Sequence, residues 1–188
     1  MRRPEAHAQV APICLTYLLE PALLTDPIEE YPLASYAAKT WHNHFCKGDK
    51  TKYDLEDQAL RFFQSSGGEF EKWIQIWNVD RYEGNHDPNN DPSPVYYASL
   101  LGLDLVLTRL LCKSHSIYRI SGQNAKENSA FSNARGEHYG SALQAGAAGG
   151  NEQVVKVLLE QGADVNAAGG FFLAARSRQL QLGATSRL

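Results

Sequence analysis

The chain has 188 residues, an apolar content of 43% and a formal net charge of −3. This length allows one or two small domains, and the slightly acidic balance gives no basic footprint for nucleic acid. No apolar run is long enough to cross a bilayer. The cysteines Cys14, Cys46 and Cys112 are few and far apart, which indicates free thiols in a reducing compartment. We therefore expect a cytoplasmic protein, with the nucleus as the open alternative.

Four helices are predicted in residues 6–79, because apolar side chains recur there at helical spacing. Pro12 lies near the expected start of the first helix, where a missing N–H costs least. Gly48 ends the second helix, Asp54 is placed to cap the third, and Gly67-Gly68 separates the third from the fourth. The four stripes, in chain order, are Val10, Ile13, Cys14, Tyr17 and Leu18; Leu33, Tyr36, Ala37, Trp41 and Phe45; Leu55, Ala59, Phe62 and Phe63; and Phe70, Trp73, Ile74 and Trp77.

Three potential metal ligands, His42, His44 and Cys46, lie close together in the second of these helices. On a helix His42 and Cys46 share a face while His44 points away, and no second ligand pair lies at the spacing of known zinc sites. The acidic run Asp87–Asp91 adjoins prolines and lacks the distal glutamate of a calcium loop. We predict no catalytic residue, no cofactor and no metal site.

Residues 80–92 predict a linker, because they are polar and rich in proline, asparagine and glycine. Two similar segments follow, beginning at Ser93 and Ser141, each with a glycine and then two apolar pairs in the same order. Their glycines, Gly102 and Gly150, are farther apart than a repeat period of about 33 residues. The excess falls in residues 113–138, which we interpret as a loop insertion because they are rich in serine, asparagine, glycine and charge.

The second copy runs from Gly140 to Asn166, GSALQAGAAGGNEQVVKVLLEQGADVN. Gly150 and Gly162 allow tight turns that end two short helices. This segment resembles one complete ankyrin repeat: Ser141–Gln144 stands in the T-P-L-H position, and Gly162–Asn166 matches the G-A-D-V-N ending outright. The resemblance implies a helix–turn–helix unit that forms a recognition surface and brings no catalytic chemistry.

The N-terminal half also resembles a known segment, through Ala6–Glu20 and especially Glu30–Phe45 (EYPLASYAAKTWHNHF). The run Tyr31–Ala38 followed by Trp41 and His44 is similar to the helical segment between the NACHT domain and the ankyrin array of fungal receptor-like proteins. No G-x-x-x-x-G-K-[ST] motif occurs, so the ATP-binding part of that family is missing. The resemblance implies the tail of a larger receptor or a fragmentary gene product.

The predicted fold is all-α, with a helical module at 6–79 and a short ankyrin-repeat α-solenoid at 92–170. After Gly170 the repeat pattern fails, and residues 171–188 are expected to form an irregular or disordered tail, or alternatively a capping helix.

The predicted function is a non-enzymatic protein–protein interaction module. The alternative is a regulatory fragment of a NACHT-type nucleotide-switched receptor whose NTPase domain is missing from this chain. We expect protein partners, no nucleic acid and no membrane. By resemblance to how ankyrin repeats bind, the residues expected to be exposed on the concave binding surface are Tyr97, Leu101, Tyr139, Ala145, Ala148 and Ala168.

Overall fold

Helices account for the regular structure of this protein as far as the structure describes it. The computed structural model describes residues 3–48, 54–77, 93–121, 134, 136 and 139–167, and these contain no β-strand. The prediction of an all-α fold is confirmed. The chain divides into two units, residues 1–79 and 80–188. The predicted linker at 80–92 and the predicted tail at 171–188 lie outside the described residues.

Four longer helices and two short helical turns make up the described part of the N-terminal unit. They are α1 (Arg3–Leu18), α2 (Ala22–Thr25), a 3-10 turn (Ile28–Glu30), α3 (Ala34–Lys47), α4 (Leu55–Phe63) and α5 (Glu69–Ile76). Helix α1 packs against α3 and α4, and α5 packs against α3 and α4.

The core of the N-terminal unit is a cluster of aromatic rings centred on Trp41 of α3. Trp41 is fully buried, and its ring meets Phe62 of α4 and Trp73 of α5 edge-on, with centroids 5.5 and 6.1 Å apart. The indole N–H of Trp73 donates a hydrogen bond of 2.9 Å to the carbonyl of Ala38. Since Trp41 and Ala38 both belong to α3, these contacts tie three helices together.

Helix α1 differs from its prediction in both length and orientation. It begins at Arg3, so Pro12 lies inside it, and Ile13, which was expected on the buried stripe, is 63% exposed. Cys14 and Leu18 are buried as predicted, and the buried face also carries Ala8, Ala11 and Leu15. The partner helix α3 buries three alanines of its own, Ala34, Ala37 and Ala38. Small side chains allow two helices to approach closely. The large apolar residue Ile13 therefore did not indicate which face of α1 is buried.

Helices α3, α4 and α5 agree better with the sequence. Ala37, Trp41 and Phe45 are buried on α3, which ends at Gly48 as predicted, although Leu33 precedes the helix and is 55% exposed. All four predicted apolar residues of α4 are buried. Asp54 does precede α4, but its φ of 39° is left-handed and its side chain makes no capping bond. An aspartate tolerates this backbone conformation better than most residues do.

The C-terminal unit contains two helical pairs in its described residues. The first pair is α6 (Pro94–Leu100) and α7 (Asp104–Ser121), and the second is α8 (Ala142–Ala148) and α9 (Glu152–Glu160). Helix α8 packs against both α6 and α9, and α9 packs against α7. The two pairs therefore stack on each other through both of their helices.

The turn between the helices is the same in both pairs, bond for bond. Gly102 and Gly150 have φ values of 71° and 69°. The amide of the next residue bonds back to Ala98 O in the first pair and to Gly146 O in the second, at 2.9 Å in each case. This arrangement, with a left-handed glycine and a bond spanning the last turn, ends a helix sharply. The internal repeat inferred from the sequence thus has a structural counterpart.

The predicted insertion at 113–138 is helical over its first part, which corrects its interpretation as a loop. Helix α7 continues to Ser121, whereas α9 ends at Glu160, before the left-handed Gly162 with its φ of 82°. Where the second pair has Gly162, the first has Ser114, and the next glycine is Gly122. Without a glycine to end it, the outer helix of the first pair runs on.

Candidate functional site

A segment that precedes α8 is hydrogen-bonded to α6; its described residues are Ala134, Gly136, Tyr139 and Gly140, and we call it the finger. The amide of Ala142 donates to the carbonyl of Ala134 at 2.7 Å, and the amide of Gly136 donates to the carbonyl of Gly140 at 3.0 Å. The hydroxyl of the buried Tyr96 in α6 accepts a hydrogen bond of 3.3 Å from the amide of Tyr139. Gly136 lies so close to the Tyr96 ring that a Cβ there would overlap it.

Gln144 has the corresponding role in the second pair. Ser141 and Gln144 form a capping box: the hydroxyl of Ser141 accepts from the amide of Gln144 at 3.2 Å, and Gln144 Oε1 accepts from the amide of Ser141 at 3.0 Å. The Nε2 of Gln144 then donates to the carbonyl of Ala167 at 3.0 Å. Tyr96 and Gln144 occupy equivalent positions, and each bonds to backbone that follows its own outer helix.

Asn151 links the two helical pairs directly. Its Nδ2 donates to the carbonyls of Ser99 and Leu100, at 3.0 and 3.2 Å. Both carbonyls lie in the last turn of α6, where a helix has no partners of its own for its final C=O groups. The side chain therefore satisfies the end of one inner helix while belonging to the turn after the other.

The accessible part of the short helices α6 and α8 is their C-terminal end. Ala147 and Ala148 are exposed, and Leu100 and Leu101 are half-buried. Tyr139, in the finger beside α8, is also half-buried. We call these five residues the inner-helix surface. It contains the predicted site residues Leu101, Tyr139 and Ala148.

Two predicted site residues, Tyr97 and Ala145, are not exposed, which corrects that expectation. Tyr97 is 4% exposed and Ala145 is fully buried. They occupy equivalent positions in α6 and α8, so one error affects both copies. Helices α6 and α8 each have seven residues and pack against two other helices of the unit. Helix α6 packs against α7 and α8, and α8 packs against α6 and α9. The middle of such a helix has little surface left for solvent. The sixth predicted residue, Ala168, lies outside the described residues.

Residues 140–169 match the ankyrin repeat family. The chain contains an ankyrin repeat. The match covers the finger residue Gly140, helices α8 and α9, and the turn after them. Ankyrin repeats are modules that stack and bind other proteins, which agrees with the coarse prediction of an interaction module.

A longer relative is similar to most of this chain. The azaphilone pigments biosynthesis cluster protein L of Monascus ruber is 38% identical over 173 residues. The similarity covers 85% of this chain and 35% of that protein, so the chain spans about a third of the length of the curated relative it matches. No solved structure matches the chain.

The outer helix of the ankyrin repeat leaves an apolar edge uncovered. Leu159 is 44% exposed, whereas Leu111, at the equivalent position of the preceding pair, is only 4% exposed. Val165, after α9, is 65% exposed. Leu111 lies on α7, against which α9 packs. Among the described residues, no helix follows α9 and packs against Leu159 in the same way.

Removing the Asn151 side chain is expected to weaken the contact between the two helical pairs. Asn151→Ala removes the side-chain donor that two carbonyls of α6 share, which we expect to lower the free energy of unfolding by about 2 kcal/mol. Asn151→Asp should cost more, because a carboxylate cannot donate to carbonyl oxygens. Urea unfolding followed by circular dichroism measures both. Gln153→Ala, at an exposed position two residues away, is the control, and equal midpoints for all four proteins would contradict the assigned role.

The histidines once considered as metal ligands lie in different environments. The ring of His42 stacks on Trp77, with centroids 5.5 Å apart and an angle of 11°, and meets Trp41 edge-on. Burial, and secondarily the nearby His44, lowers the pKa of His42 to about 4. Within the described part of the chain, no group of three or more His, Cys, Asp or Glu side chains could hold a metal.

No helix described by the structure is long and apolar enough to cross a membrane.

None of the three cysteines forms a disulfide, and only Cys14 is buried. Cys112 is exposed on α7, as Cys46 is on α3. Burial raises the pKa of the Cys14 thiol, against a smaller opposing effect of its hydrogen bond with Thr40. A thiol that stays protonated and buried is a poor nucleophile.

We therefore expect two fast thiols and one slow thiol when the folded chain reacts with a disulfide reagent such as DTNB. Cys46 and Cys112 should react first, and Cys14 only as fast as the N-terminal unit opens. Peptide mapping after partial labelling identifies the sites, and labelling in urea provides the control in which all three react alike. Early labelling of Cys14 under native conditions would contradict its burial.

Proposed function

We propose that the chain is a non-enzymatic protein-interaction module that binds its partner through the inner-helix surface. The observation that carries this proposal is the accessibility of these residues: Ala147 and Ala148, at the end of α8, are exposed, and Leu101 and Tyr139 are half-buried. Ankyrin-type solenoids use the inner helices and fingers as an extended binding surface. Small exposed side chains there let a partner approach the backbone closely.

The scaffold beneath this surface is held by specific bonds, which favours a rigid recognition surface. The capping box of Ser141 and Gln144 fixes the start of α8, and Asn151 fixes the end of α6. The bond from Tyr139 to Tyr96 positions the finger. A preorganised surface loses less conformational entropy when a partner binds. Tyr139 is the best candidate for an anchor, since tyrosine is enriched among the residues that dominate binding energies.

Two described side chains that could do chemistry, His42 and Cys14, have other surroundings, which supports a binding function over catalysis. His42 is stacked in an aromatic environment and Cys14 is buried with a raised pKa. Neither combines a nucleophile, a base and an open pocket in the way that a catalytic site requires.

The test is a titration of a partner against variants of the surface. A protein captured by cross-linking from cells that express the full chain is purified and titrated by calorimetry. Ala148→Arg places a long charged side chain on the surface, and Tyr139→Ala removes the anchor while keeping the backbone amide that bonds to Tyr96. Each change is expected to weaken binding at least tenfold, by a clash or by loss of buried area.

The matched control is Gln153→Arg, which adds the same charged side chain at an exposed position on α9. It should bind as the unmodified chain does. Thermal unfolding of every variant must be unchanged, so that a weaker affinity reflects the surface and not the fold. Unaltered affinity of the double variant Ala148→Arg/Tyr139→Ala would reject the inner-helix surface as the binding site.

A second candidate is a regulatory segment of a longer receptor with a NACHT-type nucleotide switch. Two observations favour it: the motif Glu30–Phe45, which becomes α3 and the turn before it, and the greater length of the relative. The genomic DNA that flanks this reading frame tests it. A P-loop coding sequence in frame upstream supports a receptor segment, whereas a promoter and start codon there support an independent module.

A further inference from the structure

Two histidines from different helices meet at the surface of the N-terminal unit. The Nδ1 atoms of His7 in α1 and His44 in α3 are 2.8 Å apart. Their rings have centroids 4.8 Å apart and an angle of 48° between planes. Both side chains are half-buried. In this hydrogen bond one nitrogen carries the proton and the other accepts it. Both ring nitrogens therefore face the same small space.

The second nitrogen of His44 is also bonded. Its Nε2 lies 3.1 Å from the hydroxyl oxygen of Tyr36, which is about two helical turns earlier in α3, and the Tyr36 side chain is 49% exposed. When Nε2 carries the proton and donates to the tyrosine oxygen, Nδ1 of His44 is an unprotonated acceptor that faces His7. Metal-binding histidines show this arrangement, in which the outer nitrogen is held by a hydrogen bond and the inner one is free to coordinate.

We propose that His7 and His44 form a binding site for a divalent late-transition-metal ion that joins α1 to α3, with Tyr36 as its outer hydrogen-bond partner. Bonds from such ions to imidazole nitrogen are about 2.0–2.1 Å long. Two ligands at right angles around one ion, as in square-planar Ni²⁺ or Cu²⁺, are then about 2.8–3.0 Å apart, and around tetrahedral Zn²⁺ they are about 3.3 Å apart. The observed separation of 2.8 Å fits the right-angle value, so coordination needs only a small rotation of the rings.

The proton balance of binding is simple. The proton on His7 Nδ1 is released to solvent and one returns to its Nε2, so two neutral imidazoles remain neutral and the ion brings the only new charge. A neutral imidazole is the form that coordinates a metal. Lys47 repels a cation, which limits the affinity.

The site differs from the ligand set considered from the sequence. His42 is stacked on Trp77 and does not take part. Two protein ligands leave the other positions of the ion to water. The ligand chemistry selects ions that prefer imidazole, such as Ni²⁺ and Zn²⁺, over Mg²⁺ and Ca²⁺, which prefer oxygen.

The experiment is a titration of tag-free full-length chain with Ni²⁺ or Zn²⁺ at pH 7.5, by calorimetry and by thermal unfolding. We expect one ion per chain and a rise in the unfolding midpoint with metal concentration, because an ion that binds only the folded unit stabilises it. His7→Gln and His44→Gln should each abolish the rise. The double variant His7→Gln/His44→Gln should lose no more of the metal-induced rise in the unfolding midpoint than either single variant, since both ligands bind one ion.

Further variants separate a site from incidental binding. Tyr36→Phe should weaken binding by about tenfold without abolishing it, which is the typical effect of removing an outer hydrogen-bond partner. His115→Gln removes a histidine from α7 of the other unit and should change nothing. Mg²⁺ should have no effect at the same concentration. Absence of saturable binding to the unmodified chain would overturn the proposal, and so would binding by His7→Gln and His44→Gln as tight as that of the unmodified chain.

Discussion

Replacing Trp41 by alanine is expected to lower the free energy of unfolding of the N-terminal unit by about 4 kcal/mol. The Trp41 side chain is fully buried and meets rings from α3, α4 and α5 edge-on, so its loss leaves a cavity that three helices cannot fill. Loss of the edge-on contacts adds to the cost. Urea unfolding followed by the fluorescence of Trp73 and Trp77 measures the effect.

Two further variants show whether the cost comes from the cavity. Lys39→Ala, at an exposed position on the same helix, should change the free energy of unfolding by no more than about 0.5 kcal/mol. Trp41→Phe keeps an aromatic ring, and the buried Nε1 of Trp41 has no hydrogen-bond partner within the described residues, so this variant should lose much less than alanine. A loss below 1 kcal/mol for Trp41→Ala would mean that the aromatic cluster is not the centre of the core.

Acidification is expected to destabilise the N-terminal unit through His42. The pKa of His42 is lowered from 6.5 to about 4, chiefly by burial. Above pH 6.5 the side chain is neutral in both states and the full stability is present. Below that pH the unfolded chain binds a proton that the folded chain refuses, so stability falls until pH 4 is reached. With about 1.4 kcal/mol for each pKa unit, the loss is about 3 kcal/mol.

The variant His42→Phe isolates this effect from other titrating groups. Phenylalanine keeps an aromatic face against Trp77 but cannot be protonated. The free energy of unfolding of the variant should therefore depend less on pH between 6.5 and 4, by about 3 kcal/mol over that range. All three tryptophans of the chain lie before residue 80, so tryptophan fluorescence reports on this unit alone. Parallel pH profiles for the two proteins would show that His42 is accessible to protons in the folded state.

The helices that the sequence predicted well are those whose bulky apolar residues face the core. In α3 and α4, tryptophan and phenylalanine recur at helical spacing and are buried, and α3 ends at Gly48, where the backbone becomes extended. Helix α1 was misjudged because its buried face contains alanines, and Ile13 points to solvent. Alanine is favourable in a helix but gives a weak hydrophobic signal, so its periodicity is easily hidden by larger neighbours.

The exposure of the candidate site residues was predicted only in part. The family resemblance identified α8 and its finger, yet it did not distinguish Ala145 from Ala148, which lie three residues apart on the same short helix. Their difference in exposure comes from packing against α6 and α9, which depends on residues far away in sequence. The meeting of His7 and His44 could not be predicted for the same reason. It requires the crossing of α1 and α3, and no local pattern encodes that crossing.

The contact between Tyr96 and Gly136 has a consequence for how sequences of this type can diverge. Because a Cβ at position 136 would overlap the Tyr96 ring, neither position is able to change freely. A side chain at 136 is compatible only with a smaller residue at 96, and a tyrosine at 96 demands glycine at 136. In a set of homologous sequences the two positions should therefore covary, although 40 positions separate them, and a chain with a large residue at both should bear a displaced finger.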